Sequence, residues 1–395
     1  MSTEQYDAYP YPARDPKDEA KRLITGAPSH PHEIDTHIYA GRRDWSQPFR
    51  ALVAGGGTGD ALVQLAQILT WAGAPYEIVY LDLSKSARGI AEARIKARGL
   101  KGVTFYTAPL QDAPRHGAFD YIDCCGVLHH LPDPGEGLRA LEAALKPGGG
   151  IGFMVYAPYG RSGVYPVQEA FRALMPSLPP EERLKRAKKI LTSLPANHPF
   201  RRNAMVGDHA RDDAGLYDLL LHMQDRAFAV DEWLGELDHA GLALTSWMVP
   251  ALYDLSTITD VPHKLPEREA MATAEKLRGT LTKHVGYAQR AGEVRAPMAQ
   301  PSLALTPHLD VSRENLVKGI AAGKVFKVTS QGVTFRLKLP QSAAPILSRV
   351  NGRTTLAEIA GAVAVDAVRF QSLWANIHRA FLSVGMLRYS SLKPR

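Results

Sequence analysis

Residues 49–84 read FRALVAGGGTGDALVQLAQILTWAGAPYEIVYLDLS. A short apolar run ends at Ala54 and meets a glycine-rich turn directly, which is typical of a buried parallel strand. Apolar residues then recur at helical spacing after Asp60, and a second apolar run ends in Asp82. The order of strand, glycine turn, helix, strand and acid predicts a nucleotide-binding βαβ unit.

Each part of this unit has a physical task. Glycines let the backbone turn sharply and approach a ligand that any Cβ would repel. The start of the helix offers unpaired N–H groups, and an acid at the end of the second strand can accept hydrogen bonds from both ribose hydroxyls. A tight turn in an unrelated α/β protein is the alternative that this stretch alone leaves open.

The next hundred or so residues continue the alternation of strands and helices. Residues 103–106 and 119–124 have the composition of a third and a fourth strand, and residues 151–156 that of a fifth. A helix is predicted over about residues 135–145. These elements extend the βαβ unit to a Rossmann-like α/β domain.

The segments AGGGTG, LDLS, FDYIDCCGVLHHL and LKPGG resemble the class I S-adenosylmethionine-dependent methyltransferases over about residues 48–160. The resemblance implies S-adenosylmethionine as cofactor and S-adenosylhomocysteine as product. It places the glycines at the methionine part, Asp82 at the ribose and Leu83 beside the adenine. The cofactor-binding residues that it implies are Gly55, Gly57, Thr58, Gly59, Asp82, Leu83, Pro109, Leu110, Cys125, Gly126 and Val127.

Two positions depart from the pattern of that family. Many members carry an acid two residues before the first glycine, where it helps to hold the amino group of the cofactor, and Val53 stands there instead. Many also carry an acid after the third strand that reads the adenine amine, and Pro109 stands there. The adenine is then expected to rest on backbone groups or on Asp112.

Charge and cysteine content limit the compartment and the partners. The net charge is +7, and residues 301–395 hold 13 Lys/Arg against 4 Asp/Glu, a net of +9. This basic end favours a polyanionic or acidic partner, or is a solvated surface.

No apolar run approaches the roughly 20 residues of a membrane span, and no signal pattern is present, so we expect a cytoplasmic protein. Adjacent Cys124 and Cys125 indicate free thiols, and no Cys/His spacing indicates a metal site.

Residues 1–47 precede the core, and YPYPARDP at residues 9–16 alternates aromatic residues with prolines. This composition favours an extended segment. The segment resembles the lid arms of two bacterial groups, the tetratricopeptide-linked methyltransferases and the outer-membrane-protein lysine methyltransferases. The resemblance implies that the arm folds over the cofactor, with Tyr9 and Tyr11 near the acceptor, where stiff rings exclude water. A surface arm packed on the core is the alternative.

Residues 161–292 are predicted to build the acceptor region. Helices are expected up to residue 240, including one over residues 216–228, followed by a late core strand at 242–249 and an amphipathic helix within 261–292 that carries His284 and Tyr287. The acceptor-pocket candidates are Tyr9, Tyr11, His222, Asp225 and Arg226. A polar cluster at a helix end is the alternative for the last three.

Methyl transfer needs an acceptor aligned with the activated methyl group, and nitrogen acceptors of high pKa must also lose a proton. The resemblance places acceptor-facing groups just after the fourth strand. The candidate catalytic residues are Tyr11, His129, His130 and Tyr159. A polar pair at a helix start is the alternative for the two histidines. The Asp/Asn-Pro-Pro-Tyr motif of nucleobase amine methylation and the Pro-Cys of cytosine carbon methylation are both missing.

Residues 293–307 contain prolines without periodicity and are interpreted as a linker, and residues 308–395 as a small α+β module. A hairpin around Gln331-Gly332, a Thr355–Glu358 capping box and three helices resemble the winged-helix-like PqqD peptide-chaperone domains. The resemblance implies that a peptide pairs along a sheet edge. Binding of DNA or RNA, and packing or homodimer formation, are alternatives.

These observations predict a methyltransferase that acts on a nucleophilic nitrogen or oxygen. The preferred acceptor is a side chain of a protein or peptide that the C-terminal module recruits. A small metabolite, a tRNA or DNA, and a cofactor-binding protein without turnover remain the alternative readings.

Overall fold

The computed structural model describes residues 4–294 and 301–393. Its centre is a seven-stranded sheet. The strands are β1 Phe49–Ala54, β2 Tyr76–Asp82, β3 Val103–Thr107, β4 Phe119–Cys125, β5 Leu145–Tyr156, β6 Leu242–Trp247 and β7 Lys283–Arg290. Their order across the sheet is β3-β2-β1-β4-β5-β7-β6. Strand β7 is antiparallel to both of its neighbours, β5 and β6, and the other described pairs are parallel. The predicted Rossmann-like class I sheet is confirmed.

Helices cover both faces of the sheet and form a block between β5 and β6. In chain order they are α1 Glu4–Ala8, α2 Pro31–Ile38, α3 Asp60–Ala72, α4 Lys85–Ala97, α5 Pro134–Ala143, α6 Val164–Leu174, α7 Pro180–Ser193, α8 Pro199–Arg202, α9 Asp213–Leu216, α10 Val230–His239 and α11 Glu267–Arg278. One turn of π-helix, Tyr217–Leu221, continues α9. The helical insertion between two late strands is therefore present as predicted.

Local sequence explains how these elements begin. Gly59 has a φ of 94°, and α3 starts directly after it at Asp60. The Ser84 side chain accepts a hydrogen bond from the backbone N–H of Ala87, and the Asp133 side chain accepts one from Glu136, so both residues cap their helices. These caps fix where the chain turns back at the carboxyl edge of the sheet.

Two helix predictions are wrong in part. The amphipathic helix within residues 261–292 ends at Arg278, because Gly279 has a φ of 62° and stops it, and residues 283–290 form β7. His284 and Tyr287 therefore lie in a buried central strand, where packing between β5 and β6 outweighs local pattern. The helix predicted over residues 216–228 ends at Leu221 after the π-turn.

The C-terminal module holds two small antiparallel sheets and four helices. Its elements are β8 Pro307–Leu309, α12 Arg313–Ala321, β9 Phe326–Ser330, β10 Val333–Leu337, α13 Ala344–Leu347, α14 Leu356–Ala362, α15 Ala367–Ser383 and β11 Leu387–Tyr389. The hairpin of β9 and β10 is confirmed, and Gln331 and Gly332 have φ values of 46° and 78°, as a tight two-residue turn requires. The Thr355–Glu358 capping box is confirmed as well.

This module is not held at a distance by a linker, which corrects the interpretation of residues 293–307. Residues 295–300 lie outside the described residues, but Leu303 and Leu305 accept backbone hydrogen bonds from α14. Strand β11 packs on α2, where the Tyr389 N–H donates to Thr36 Oγ1 at 2.7 Å. Most buried apolar side chains of the module belong to the same buried cluster as residues of β4 and β5. The module therefore shares its buried core with the domain built on the seven-stranded sheet.

No helix in the described part of the chain has the length and apolar character that crossing a membrane requires.

Candidate functional site

The glycine turn after β1 is held from three sides. Gly55 has a φ of 68°, and a Cβ there would lie 2.3 Å from the Val127 side chain. The N–H of Gly57 donates to Asp82 Oδ2 at 2.8 Å, and the hydroxyl of Tyr80 donates to the Gly57 carbonyl at 2.6 Å. The turn is thus a rigid, side-chain-free surface that a ligand can approach closely.

Two cavities meet at this turn. The first, here called the β2 cavity, has a volume of about 360 Å³ and lies beside the end of β2. The second, the β4 cavity, has about 340 Å³ and lies beside the end of β4. The residues shared by both linings are Tyr11, Gly55, Gly57, Gly126 and Asp218. Together the cavities offer the space of a dinucleotide-sized or nucleoside–amino-acid ligand at the carboxyl edge of the sheet.

The β2 cavity gathers most of the predicted cofactor residues. Those that line it are Gly55, Gly57, Asp82, Leu83, Pro109, Leu110, Gly126 and Val127, and Cys125 lines the β4 cavity. Thr58 and Gly59 line neither: the Thr58 hydroxyl instead donates to the Pro12 carbonyl at 2.7 Å, which ties the turn to the N-terminal arm.

Asp82 stands where a ribose would need an acceptor. Burial raises the pKa of its carboxyl, while the N–H groups of Gly57 and Ser84, each at 2.8 Å, stabilise the ionised form. Of the two expected supports for the adenine, Asp112 pairs with the exposed Arg115 and lies outside the lining, and the backbone groups stay a prediction. Gln111, which the sequence analysis does not single out, lines this cavity.

The N-terminal arm covers both cavities. Tyr6, Pro10 and Tyr11 line the β2 cavity, and Tyr11 also lines the β4 cavity. Arg14 anchors the arm by pairing with Asp60 at 2.6 Å, the first residue of α3. The arm therefore lies over the glycine turn, in the position that the resemblance to lid arms implies.

The helical block contributes one carboxylate that sequence reasoning also missed. Asp218 lies in the π-turn, is shared by both cavity linings, and accepts a hydrogen bond from the Tyr156 hydroxyl at 2.9 Å. His130 Nε2 lies 3.9 Å from Asp218 Oδ1. Burial raises the pKa of Asp218. In the sequence, Asp218 is the single acid within the apolar run 216–221. Because buried acids are rare unless they have a function, this position could have been singled out.

Three of the predicted acceptor residues, His222, Tyr9 and Asp225, line neither cavity. His222 Nε2 lies 2.8 Å from the Tyr6 hydroxyl, and its ring stacks on His130. Tyr9 stacks on Tyr217. Asp225 is fully buried between Gln168 Nε2, at 2.8 Å, and Arg161.

Arg226 points away from the cavities. Its side chain is 55% exposed and lies 3.8 Å from Glu236.

Two of the four catalytic candidates line the cavities, and two do not. The two that do are Tyr11 and His130. His129 is buried behind Tyr156, stacked at a centroid distance of 3.9 Å, and lines neither cavity. Burial holds the pKa of His129 well below its usual value, and within the described residues neither ring nitrogen has a hydrogen-bond partner. Tyr159 is 36% exposed and also lines neither cavity.

One group of described residues has metal-ligand chemistry, although the sequence predicts no metal site. Possible ligand atoms of His129, His130 and Asp225 lie within 4.8 Å of one another. The buried guanidinium of Arg161 lies 3.3 Å from Asp225, and this fixed positive charge disfavours a metal cation there.

Comparison with known proteins gives the class. Residues 52–151 match the family model described as a methyltransferase domain. The sheet and the glycine turn with its acid agree with this match, which makes this part of the chain similar to methyltransferase domains, whose cofactor is S-adenosylmethionine. The residues present fit that cofactor, since Gly55 and Gly57 line both cavities and Asp82 can accept hydrogen bonds from its ribose.

Relatives of known sequence extend the likeness. The protein syc1184_c of Synechococcus, itself uncharacterized, is 31% identical over 244 residues, which cover 60% of this chain and 57% of the relative. A ubiquinone biosynthesis O-methyltransferase of Aromatoleum aromaticum is 31% identical over 90 residues, 22% of this chain and 38% of that enzyme. The chain thus spans less than two thirds of the length of these relatives.

A solved structure shares the fold over nearly the whole chain. PKMT2 from Rickettsia typhi in complex with AdoHcy superposes with a TM-score of 0.64 and 16% identity, covering 93% of this chain and 76% of PKMT2. The likeness therefore includes the helical block and the C-terminal module as well as the cofactor-binding sheet.

Proposed function

We propose that the protein transfers the methyl group of S-adenosylmethionine to a side-chain amine of a protein or peptide, with lysine as the preferred acceptor. The observation that carries this proposal is the buried Asp218 carboxylate at the place where the two cavities meet, beside the rings of Tyr11 and Tyr156. When bound, the cofactor supplies a methyl group already activated on a sulfonium.

A primary ammonium group suits this position. Its positive charge offsets the buried Asp218 carboxylate, and aromatic rings pack well around the methylene chain and the cationic head of a lysine. An aliphatic hydroxyl would leave the carboxylate without a counter-charge, which is costly in a dry site.

The amine must lose a proton before its lone pair can attack. A carboxyl whose pKa is raised by burial is a better base than an exposed one, so Asp218 is the group that would take this proton. The Tyr156 hydroxyl fixes the orientation of the carboxylate at 2.9 Å. In this scheme Asp218 would take the proton that the amine loses, and the bound cofactor would supply the methyl group to the amine nitrogen and keep its sulfur as a thioether.

The comparisons support this proposal to different degrees. The likeness to PKMT2 covers the block that holds Asp218, and the arm resembles that of outer-membrane-protein lysine methyltransferases. The ubiquinone O-methyltransferases match over only about 90 residues, and they support the cofactor rather than the acceptor.

We further propose that the C-terminal hairpin borders the acceptor entrance. Gln331 at its tip binds Thr282 and Lys283, and Lys283 pairs in register with Tyr156. The basic residues of the hairpin remain exposed and would favour an acidic acceptor surface. They are Lys324, Lys327, Arg336 and Lys338.

Labelling a cell extract with cofactor that carries a tritiated methyl group tests the acceptor class. Protein fractions should take up label, and mass spectrometry of the labelled peptides should place the methyl group on a lysine side-chain nitrogen. Label confined to RNA, DNA or small molecules would contradict the proposal, and so would label on a protein oxygen atom.

A further inference from the structure

A second buried carboxylate lies deeper in the β4 cavity. Asp123, on β4, is 2% exposed and lines this cavity beside the glycine turn. The Ser29 hydroxyl donates a hydrogen bond to Asp123 Oδ2. Neither the fold nor the sheet needs a charge at this place, and a carboxylate buried without a counter-charge is costly.

The charged residues in the described lining of the β4 cavity are all acids. They are Asp60, Asp123 and Asp218, and the lining contains neither lysine nor arginine. Asp60 is neutralised from behind by Arg14 and Arg94, at 2.6 and 2.7 Å. Asp218 lies at the boundary with the other cavity, where the acceptor is proposed. The described lining therefore offers Asp123 no cationic partner, and a bound ligand that carries a positive charge would supply one.

The sheet register places Asp123 next to the glycine turn. In the parallel pairing of β1 with β4, Asp123 is the direct partner of Val53, which stands two residues before Gly55. An acid on β1 at Val53 and an acid on β4 at Asp123 can therefore serve the same end of the cavity. Here β1 carries an apolar residue and β4 carries the carboxylate.

We propose that Asp123 binds the α-ammonium group of the methionine part of S-adenosylmethionine, a task that β1 cannot perform with Val53. The hydroxyl of Ser29 orients the carboxylate toward the cavity. This inference rests on the cofactor of the proposed function but not on its acceptor, so the two can fail separately.

The surroundings of Asp123 give it a pH signature. Burial raises the pKa of Asp123 to about 6. The titratable groups that interact with it are Tyr121, Cys124, Cys125 and Tyr287. Burial raises the pKa of each of them. Glu33, which acts on both tyrosines, is engaged by Arg388. A bound ammonium would be the missing cation, and protons should compete with it below about pH 6.

Calorimetry with two matched ligands tests the assignment. The ligands are S-adenosylhomocysteine and its analogue that lacks only the α-amino group, and the variant is Asp123→Asn, which keeps the size of the side chain. We expect Asp123→Asn to weaken S-adenosylhomocysteine roughly 10-fold to 100-fold, as loss of a hydrogen bond between charged groups does. The deamino analogue should bind both proteins within about twofold.

The pH profile of the unaltered protein is an independent readout. S-adenosylhomocysteine affinity should fall about tenfold per unit below pH 6, and that of the deamino analogue should stay flat. Equal losses for both ligands in Asp123→Asn would mean a merely structural role and overturn the proposal, as would a pH-independent affinity. If S-adenosylhomocysteine binds as expected but no protein is methylated, the proposed acceptor class is wrong and the assignment of Asp123 is unaffected.

Discussion

The floor and the roof of the site are built in different ways. The floor consists of strand ends and the turns that follow them, with Gly55, Gly57, Asp82 and Gly126 at the carboxyl edge of the sheet. The roof combines Tyr11 from the N-terminal arm with Asp218 from the helical block, more than two hundred residues further along the chain.

This difference separates two tasks. In the proposed function, the floor presents backbone groups and one carboxylate to a cofactor of fixed chemistry, so its residues are set by local geometry. The roof would present rings and a carboxylate to the acceptor, so its residues depend on how distant segments pack. Changes in the floor should therefore alter cofactor affinity, and changes in the roof should alter turnover.

The largest effect is expected outside both regions, at the ion pair that joins β11 to α2. Arg388→Ala leaves Glu33 buried without its cation and should lower the free energy of unfolding by about 3–5 kcal/mol. Because burial raises the pKa of Glu33, the folded state holds its proton more tightly than the unfolded state, and ionised Glu33 opposes folding. The loss should be larger at pH 8 than near pH 5.

Urea unfolding at both pH values measures this loss. The exposed Arg369 on α15 provides the control variant Arg369→Ala, which should change stability by less than about 0.5 kcal/mol. If Arg388→Ala behaves like this control, the C-terminal module is separable from the core. Deletion of residues 308–395 would then leave cofactor binding intact, instead of unfolding the chain as its shared core predicts.

The roof is tested by Asp218→Asn. Loss of the carboxylate that pairs with the amine should lower kcat by about 100-fold, within the usual range for a positioned acid or base. Affinity for S-adenosylhomocysteine should stay within about threefold. Rate measurements on the identified acceptor and calorimetry check both values, with Asp213→Asn, an exposed acid of the same block, as control. A selective loss of cofactor affinity would assign Asp218 to the floor.

The floor is tested by Asp82→Ala. Removing the acceptor of the ribose hydroxyls and of the Gly57 N–H should raise the Kd of S-adenosylhomocysteine about tenfold. Turnover at saturating cofactor should change little. Asp112→Ala is the matched control, because Asp112 lies outside the lining. Unchanged affinity in Asp82→Ala would remove the ribose assignment.

The smallest effect is expected at Tyr159, which the sequence suggests as a catalytic candidate. Its side chain is 36% exposed and lies outside both cavities. Tyr159→Phe should therefore leave kcat and KM within about twofold, as surface substitutions usually do. A tenfold loss of kcat in steady-state assays would show that the acceptor approaches from the side of Tyr159 and that this residue belongs to the roof.

The floor could be predicted from the sequence because its signals are contiguous. The glycines, Asp82 and Val127 lie within or directly after strands whose apolar runs are visible in the sequence, and the parallel sheet brings their ends to one edge. Asp123 also lies in a predicted strand, but its pairing with Val53 is known only from the register between β1 and β4.

The roof and the last strands could not be predicted in the same way. Asp218 lies within an apolar run whose helical pattern gives no sign of the π-turn that directs it into the cavity. Residues 283–290 follow a helix directly and form a strand only because β5 and β6 offer hydrogen-bonding edges on both sides.

The amino-acid sequence by itself determined the Rossmann-like core and its likeness to methyltransferase domains, since short-range patterns of glycine, acid and apolar residues fix local backbone geometry. Tertiary structure alone decided that Asp218 and Asp123 line the cavities, and that the C-terminal module shares the core of the domain. Those outcomes depend on burial of charge and apolar surface between segments far apart in the chain, and such burial leaves no local pattern to detect.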